Sequence, residues 1–267
     1  MPKVTALKQK KRQYEVTFMF DDGSEKTFVC SEDLVVSYRL VRGKEINSDR
    51  FKAFLADQVI DGLIEKARRY AATAPRSEKE IDVYLTERGA SLKDTSLIKA
   101  KLKKIGLIDD SVFSRNLVES MFYEKRFGKE KILFTLEQRG FPRQLLKNAV
   151  AMIRKEDVEA NLEYLFQKKL PSLKSGSVKA ASEKMKRYLL ARGYEVSDVI
   201  AYVDAHQNEF SKQIDEEKEI YKDYQKLEKR YEKTTESKQA VTTKIIKSLL
   251  AKGYQYSLIK KTLERRR

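Results

Sequence analysis

Two adjacent acids, Asp109-Asp110, a single histidine, His206, and a dense population of lysines and arginines are the side chains whose types could do chemistry. Paired carboxylates could hold the cation of a metal-dependent nuclease. An imidazole could move protons near neutral pH, and clustered cations could neutralise the phosphates of a polyanion. Position argues against the first two. Asp109-Asp110 stand between Leu107-Ile108 and an apolar pattern through Phe113 and Leu117, where an acid caps a helix and offsets its dipole. His206 falls near the end of a predicted helix, where it interacts favourably with the dipole. There is no G-x-x-x-x-G-K-[ST] loop to cradle a nucleotide. One cysteine, Cys30, excludes an internal disulfide framework and a thiolate-cluster metal site, and reads as a small apolar strand residue. The chain is expected to be no enzyme and to need no metal or cofactor.

The cations are the remaining chemistry. Net charge is +16, with residues 1–50 contributing about +2, 51–105 and 106–155 +4 each, 156–209 about −1 and 210–267 +7. Such an excess favours a polyanion or an acidic protein surface, although lysine-rich helix faces are also simply solvated. By charge density, the candidate partner or DNA contacts are Arg76, Lys101, Lys103, Lys104, Arg126, Lys129, Lys131, Arg143, Lys244, Lys247, Lys260, Arg265 and Arg266. Tyr70, Tyr84, Phe113, Phe122, Tyr123 and Phe127 could stack bases, but most fall at helical spacing on the apolar stripe and read as core. Tyr224 and Tyr231, seven apart, share one helix face.

A repeated pattern positions these side chains. Leu-x-x-Arg/Lys-Gly occurs four times: Leu85 to Arg88-Gly89, Leu136 to Arg139-Gly140, Leu189 to Arg192-Gly193 and Leu249 to Lys252-Gly253. Ile81, Ile132, Met185 and Ile245 precede the leucines by four positions, and the glycines lie 51, 53 and 60 residues apart. Apolar residues four apart share a helix face, and glycine supplies the left-handed residue that stops the helix. Apolar pairs resume afterwards at Leu97-Ile98, Leu145-Leu146, Val199-Ile200 and Leu258-Ile259, so each copy reads as helix, tight turn, helix. The period leaves room for a third helix, at residues 51–72, 110–126, 157–169 and 210–233. The cation before each glycine reads chiefly as a complement to the helix dipole; a row of four partner contacts is the other reading.

The expected fold is mostly α: an elongated tandem array of four three-helix repeats, at 49–105, 106–155, 156–208 and 209–267, with a small N-terminal antiparallel β-hairpin module at 1–48. In that module, residues 4–7, 14–20 and 27–30 read as strands around an Asp21-Asp22-Gly23-Ser24 turn. Ser31 caps a short helix ended by Gly43, and Asn47 or Ser48 caps the first long helix. The hairpin is expected to lie outside the array as a cap or docking piece. No stretch approaches a membrane span and no signal-peptide pattern opens the chain, so a soluble cytoplasmic protein is expected.

Arg76-Ser77-Glu78-Lys79-Glu80-Ile81, then Leu107-Ile108-Asp109-Asp110 with Phe113, then Phe127-Gly128 with Ile132, Leu136 and Arg139-Gly140, resemble the successive motifs of the bacterial RecX family. The match is best over about residues 60–154; the hairpin and the two further units resemble the longer members found in Gram-positive bacteria. Thr73-Ala74-Pro75 departs from the pattern, which carries another basic residue before Arg76. The resemblance implies a non-enzymatic monomer that binds the RecA filament along its groove, contacts single- or double-stranded DNA secondarily, and inhibits strand exchange and ATP hydrolysis. A stand-alone DNA-binding repeat protein and a scaffold for another protein are the alternatives. Four tandem copies without one basic recognition helix count against sequence-specific readout.

Overall fold

The computed structural model describes residues 1–11, 13–231 and 237–265. The chain divides into two compact units, Met1–Ser114 with Glu137–Pro142, and Arg115–Leu136 with Arg143–Arg267.

The first unit opens with a three-stranded antiparallel sheet in the order β1 (Lys3–Lys10), β2 (Gln13–Met19), β3 (Glu25–Cys30). Alternation decides its buried face: Val16 and Phe18 of β2, with Phe28 and Cys30 of β3, turn inward. Pairing Tyr14 with Cys30 and Val16 with Phe28 puts them on one side. Burial, and secondarily the Asp61 charge, push the Cys30 thiol up to about 12, so it is the apolar strand residue expected. Helix α1 (Glu32–Tyr38) is capped by Ser31, whose Oγ accepts from the Leu34 amide at 3.3 Å. It stops at Arg39, in the left-handed region at φ 49°, four residues before the expected Gly43.

Helix α2 (Ser48–Thr73), capped by Asn47, carries two cores. Phe51 and Phe54 pack with Phe18, Phe28 and Tyr38 at ring distances of 5.2–6.2 Å. Two turns later Leu63, Ala67 and Ala71 join Ile81 and Leu85 of α3 (Glu78–Thr86) and Ile98 and Leu102 of α4 (Leu92–Lys104). The sheet closes over the first turns of α2 and shares a core with Phe51 and Phe54.

Helices α5 (Asp110–Glu119), α6 (Lys129–Gln138) and α7 (Arg143–Ala151) follow, with a π-helical turn, Ser120–Glu124, ending α5. Then come α8 (Lys155–Lys169), α9 (Val178–Ala191), α10 (Val196–Ala205), α11 (Gln207–Gln213), α12 (Glu216–Tyr231), α13 (Lys238–Ala251) and α14 (Tyr256–Glu264). Within the second unit Phe166 meets Phe210 at 5.4 Å, and Ile220, Tyr224, Ile245, Leu249 and Ile259 form a further core. The helix expected over 210–233 is two helices. Ile214 is buried with an extended backbone, and Asp215 starts α12 afresh by accepting the Lys218 amide at 3.0 Å. Lys233 lies outside the described residues.

Each Leu-x-x-Arg/Lys-Gly copy ends a helix, namely α3, α6, α9 and α13, with its glycine between φ 82° and 92°. Their surroundings differ. A Cβ on Gly89 would meet nothing within 4 Å, whereas one on Gly193 would lie 2.9 Å from Lys131 Cα and closer still to its N and Cβ. On Gly140 it would lie 2.5 Å from Lys79 Cγ, and on Gly253 2.7 Å from Ser177 Oγ.

Gly89→Ala therefore carries only the left-handed backbone penalty, about 1–2 kcal/mol. Gly193→Ala carries that plus overpacking against backbone, roughly 1–3 kcal/mol more. Thermal melts followed by circular dichroism should show a clearly larger drop for Gly193→Ala; equal drops would mean that Gly193 is no closer packed than Gly89.

Candidate partner-binding surface

The atoms that crowd these glycines belong to the start of an earlier helix. In the first unit, Ser77 Oγ accepts from the Glu80 amide at 3.1 Å and donates to the Arg139 carbonyl at 2.7 Å. Glu80 returns to the Ser77 amide at 2.7 Å, closing a capping box. Arg139 then grips both Glu80 oxygens, Nε to Oε1 at 3.2 Å and Nη2 to Oε2 at 3.0 Å, and donates to the Pro75 carbonyl. Burial opposes the Glu80 charge. The hydrogen bonds from Arg139 and Ser77, with the Arg139 and Arg76 charges, outweigh it and hold the carboxyl below its ordinary value.

Two comparable junctions lie in the second unit. The Gly128 amide donates to the Arg192 carbonyl at 2.8 Å and the Glu130 amide to that of Gly193 at 3.1 Å. Arg192 reaches the Lys125 carbonyl at 2.7 Å, and the Tyr194 hydroxyl reaches that of Arg126 at 3.1 Å. Arg126 is itself left-handed at φ 53°. At the third junction, Ser177 Oγ caps Ala180 and donates to the Lys252 carbonyl at 2.7 Å. Lys252 pairs with Asp223 at 2.7 Å. The pattern is constant: unpaired amides or a capping hydroxyl at one helix start meet unpaired carbonyls at the end of another.

The candidate catalytic groups are absorbed by the same architecture. Asp109 accepts from the Ser111 and Val112 amides at 2.9 and 3.1 Å and caps α5 as expected. Asp110 is buried and instead accepts the Glu78 amide at 2.9 Å, capping α3; burial raises its pKa. Glu216 plays the same part at the third junction, accepting the Val178 amide at 2.8 Å. His206 ends α10, where its Nδ1 contacts the Tyr202 carbonyl at 2.8 Å and its ring stacks on Tyr202 at 4.2 Å.

The thirteen candidate cations separate by neighbourhood. Arg76 lies 4.2 Å over Tyr70, Tyr70 stacks on Tyr84 at 4.1 Å, and Arg88 covers the other face of Tyr84 at 3.5 Å. Arg126 bonds Asn161 and stacks over Tyr164 at 4.1 Å. Lys103 pairs with Glu78 at 2.7 Å, a hydrogen bond that raises its pKa, and Lys131 lies over Phe127 at 4.5 Å. Lys260 pairs with Glu264 at 3.8 Å and Arg265 with Glu217 at 3.3 Å. Lys101 and Lys104 share an exposed face of α4, Lys244 and Lys247 one of α13, and Arg143 is exposed at the start of α7. Lys129 is half-buried at the start of α6, and Arg266 lies outside the described residues.

Of the aromatics, Phe122 and Tyr224 are buried, while Tyr123 is 48% exposed and bonds Asp157 at 3.1 Å. A further cationic cluster escaped the sequence reading. Lys10 and Lys11 of the first hairpin and Arg68 and Arg69 of α2 line one groove of about 500 Å³.

Fold and site together define a tandem helical-repeat protein with a sheet fused to its first long helix and a cationic surface. No protein-family model matches the chain. It is 24% identical to the regulatory protein RecX of Oceanobacillus iheyensis over 264 residues, 98% of this chain and 96% of that protein. The RecX of Lactococcus lactis subsp. cremoris is 28% identical over 272 residues, 98% of this chain and 97% of its own. A crystal structure of regulatory protein RecX shares the fold, with a TM-score of 0.64 at 20% identity over 77% of this chain and 100% of that one. Along nearly its whole length the chain is similar to regulatory RecX proteins of the Gram-positive type.

Glu80→Gln should lower the melting midpoint at pH 7 by breaking the Arg139 clamp. Because the folded pKa of Glu80 is depressed, its contribution is complete above the unfolded glutamate value of about 4.3 and is lost as pH falls through the folded one. The gap between wild type and variant, followed by thermal melts from pH 7 to 3, should narrow below about pH 4. A gap independent of pH would show that the carboxylate charge contributes nothing.

Proposed function

We propose that this RecX-family regulator acts on homologous recombination by binding the RecA filament, contacting DNA secondarily, and lowering the filament's recombinase and ATPase activities. The observation that carries this reading is the correspondence with regulatory RecX proteins over 98% of the chain. Two features support it. Asp109, Asp110 and His206 serve as caps and helix-end contacts, which suits a protein that binds rather than catalyses. The net charge of +16 suits a filament built on a polyanion.

In this reading the segments 49–105, 106–155, 156–208 and 209–267 are the modules that repeat the contact, the slightly acidic third facing protein rather than DNA. The exposed cations of α4 and α13, with Lys129 and Arg143, meet the filament; those engaged on Glu80, Asn161 or tyrosine faces hold the fold. Regulation then needs occupancy and no bond-making step: a bound protein hinders the filament's growth or promotes its loss.

Substoichiometric protein should lower the DNA-dependent ATPase of RecA. An unchanged ATPase would sink the proposal. Replacing Lys244 and Lys247 together with Glu should weaken that inhibition several-fold while helicity by circular dichroism stays constant; loss of helicity would assign both residues to the fold.

A further inference from the structure

The cationic groove of the first unit has no part in the junctions. Its walls are the end of the β1–β2 hairpin, giving Lys10, Lys11 and Gln13, and one face of α2, giving Glu65, Arg68 and Arg69. Residues 65, 68 and 69 recur at helical spacing, so α2 presents them as one stripe. Glu65 pairs with Arg68 at 3.1 Å, and Lys10 pairs outside the groove with Glu15 at 2.8 Å. Lys11 and Arg69 have no charged partner among the described residues, so the groove keeps a positive excess.

The hairpin adds an independent observation. Lys11 directly follows β1, at the end of the hairpin whose last strand pair is Lys10 with Gln13. Left-handed backbone is adopted at least cost by glycine or asparagine. Here Lys11 occupies it at φ 50°, a conformation that costs a side-chain-bearing residue stability. A cation stands where folding alone favours glycine or asparagine, on the rim of a groove lined by other cations.

We propose that this groove binds the phosphodiester backbone of single-stranded DNA, with Lys11 and Arg69 as the principal phosphate contacts, Lys10 and Arg68 in support, and the Gln13 amide as a neutral donor. A cationic channel between a hairpin and a helix tracks one backbone without reading bases. An acidic protein surface fits less well. The groove lacks the aromatic or large aliphatic anchor that concentrates protein–protein affinity. The inference rests on the part of the proposed function in which DNA is touched directly, and it gives that contact a place the basic clusters of α4 and α13 do not share.

The test is fluorescence anisotropy of a labelled oligothymidylate with the full chain, without RecA, across a salt series. The wild type should bind with steep salt dependence. Lys11→Glu/Arg69→Glu should weaken binding at least tenfold at low salt and make the log–log salt slope shallower by about 1.4, the loss of two single-strand phosphate contacts. Lys174→Glu/Lys184→Glu, a charge-matched change on exposed residues of the second unit, should leave both nearly unchanged. Should the reversal disturb the circular dichroism melt, Lys11→Gln/Arg69→Gln removes the charges without introducing new ones, and the same shallower slope is expected.

Equal binding by wild type and groove variant overturns the site, as does an equal loss in variant and control, which would mark a diffuse field. Unchanged DNA binding with weakened inhibition of the RecA ATPase overturns it in favour of an acidic protein partner. A wild type that does not bind the oligonucleotide overturns the direct-DNA reading itself, whereas failure of the groove alone leaves that reading standing.

Discussion

A helix start seated on a helix end is the contact on which the described architecture depends. An isolated helix leaves four amides unpaired at its start and four carbonyls at its end. Burying either without a partner costs a hydrogen bond's worth of desolvation. At all three junctions one deficit answers the other: Ser77 and Ser177 hydroxyls, and the Gly128 amide, meet the carbonyls of Arg139, Lys252 and Arg192. Backbone can come that close only where side chains are missing, which is why Gly193 lies against Lys131 backbone and Gly128 against the Gly193 carbonyl. Gly89, whose turn receives no such helix start, is free of crowding and keeps only the role of stopping α3.

The junctions also sort the charges. Arg139 and Arg192 run back from the helix end to a carboxylate or to carbonyls of the segment they seat, so they act as clamps as well as complements to the dipole. Arg88, without a segment to seat, lies over Tyr84 and bonds the Tyr84 carbonyl. A row of four equivalent partner contacts is therefore not what the repeated cation provides. Exposed cations that take no part in the junctions stand on α4, on α13 and in the groove beside the first hairpin.

Much of this was legible in the chain. The four glycine stops, the Ser31 and Asn47 caps, the alternating strand residues and the apolar stripes all follow from local rules, because each depends on residues within one turn or one strand. The seats were not legible, since Ser77 and Arg139 are 62 residues apart and Ser177 and Lys252 are 75 apart. Nor was the change of partner at Asp110, which caps α3 across 32 residues while its neighbour Asp109 caps α5 as local reasoning expects. The break at Ile214 hides in a periodic stretch without Gly or Pro, and Arg39 stops α1 in a conformation that composition favours at Gly43. The groove was missed because ranking by charge density looks along the chain, and its cations come from positions 10–11 and 68–69.

Native-state hydrogen exchange at the Gly128 amide tests the seating contact most directly. At an unpartnered helix start this amide would be open to water and exchange at nearly the unprotected rate. Donation to the Arg192 carbonyl at 2.8 Å predicts instead an opening free energy close to that of the Ile132 amide, inside the same helix. Exchange at the rate of a frayed first turn, with Ile132 still protected, would contradict the account.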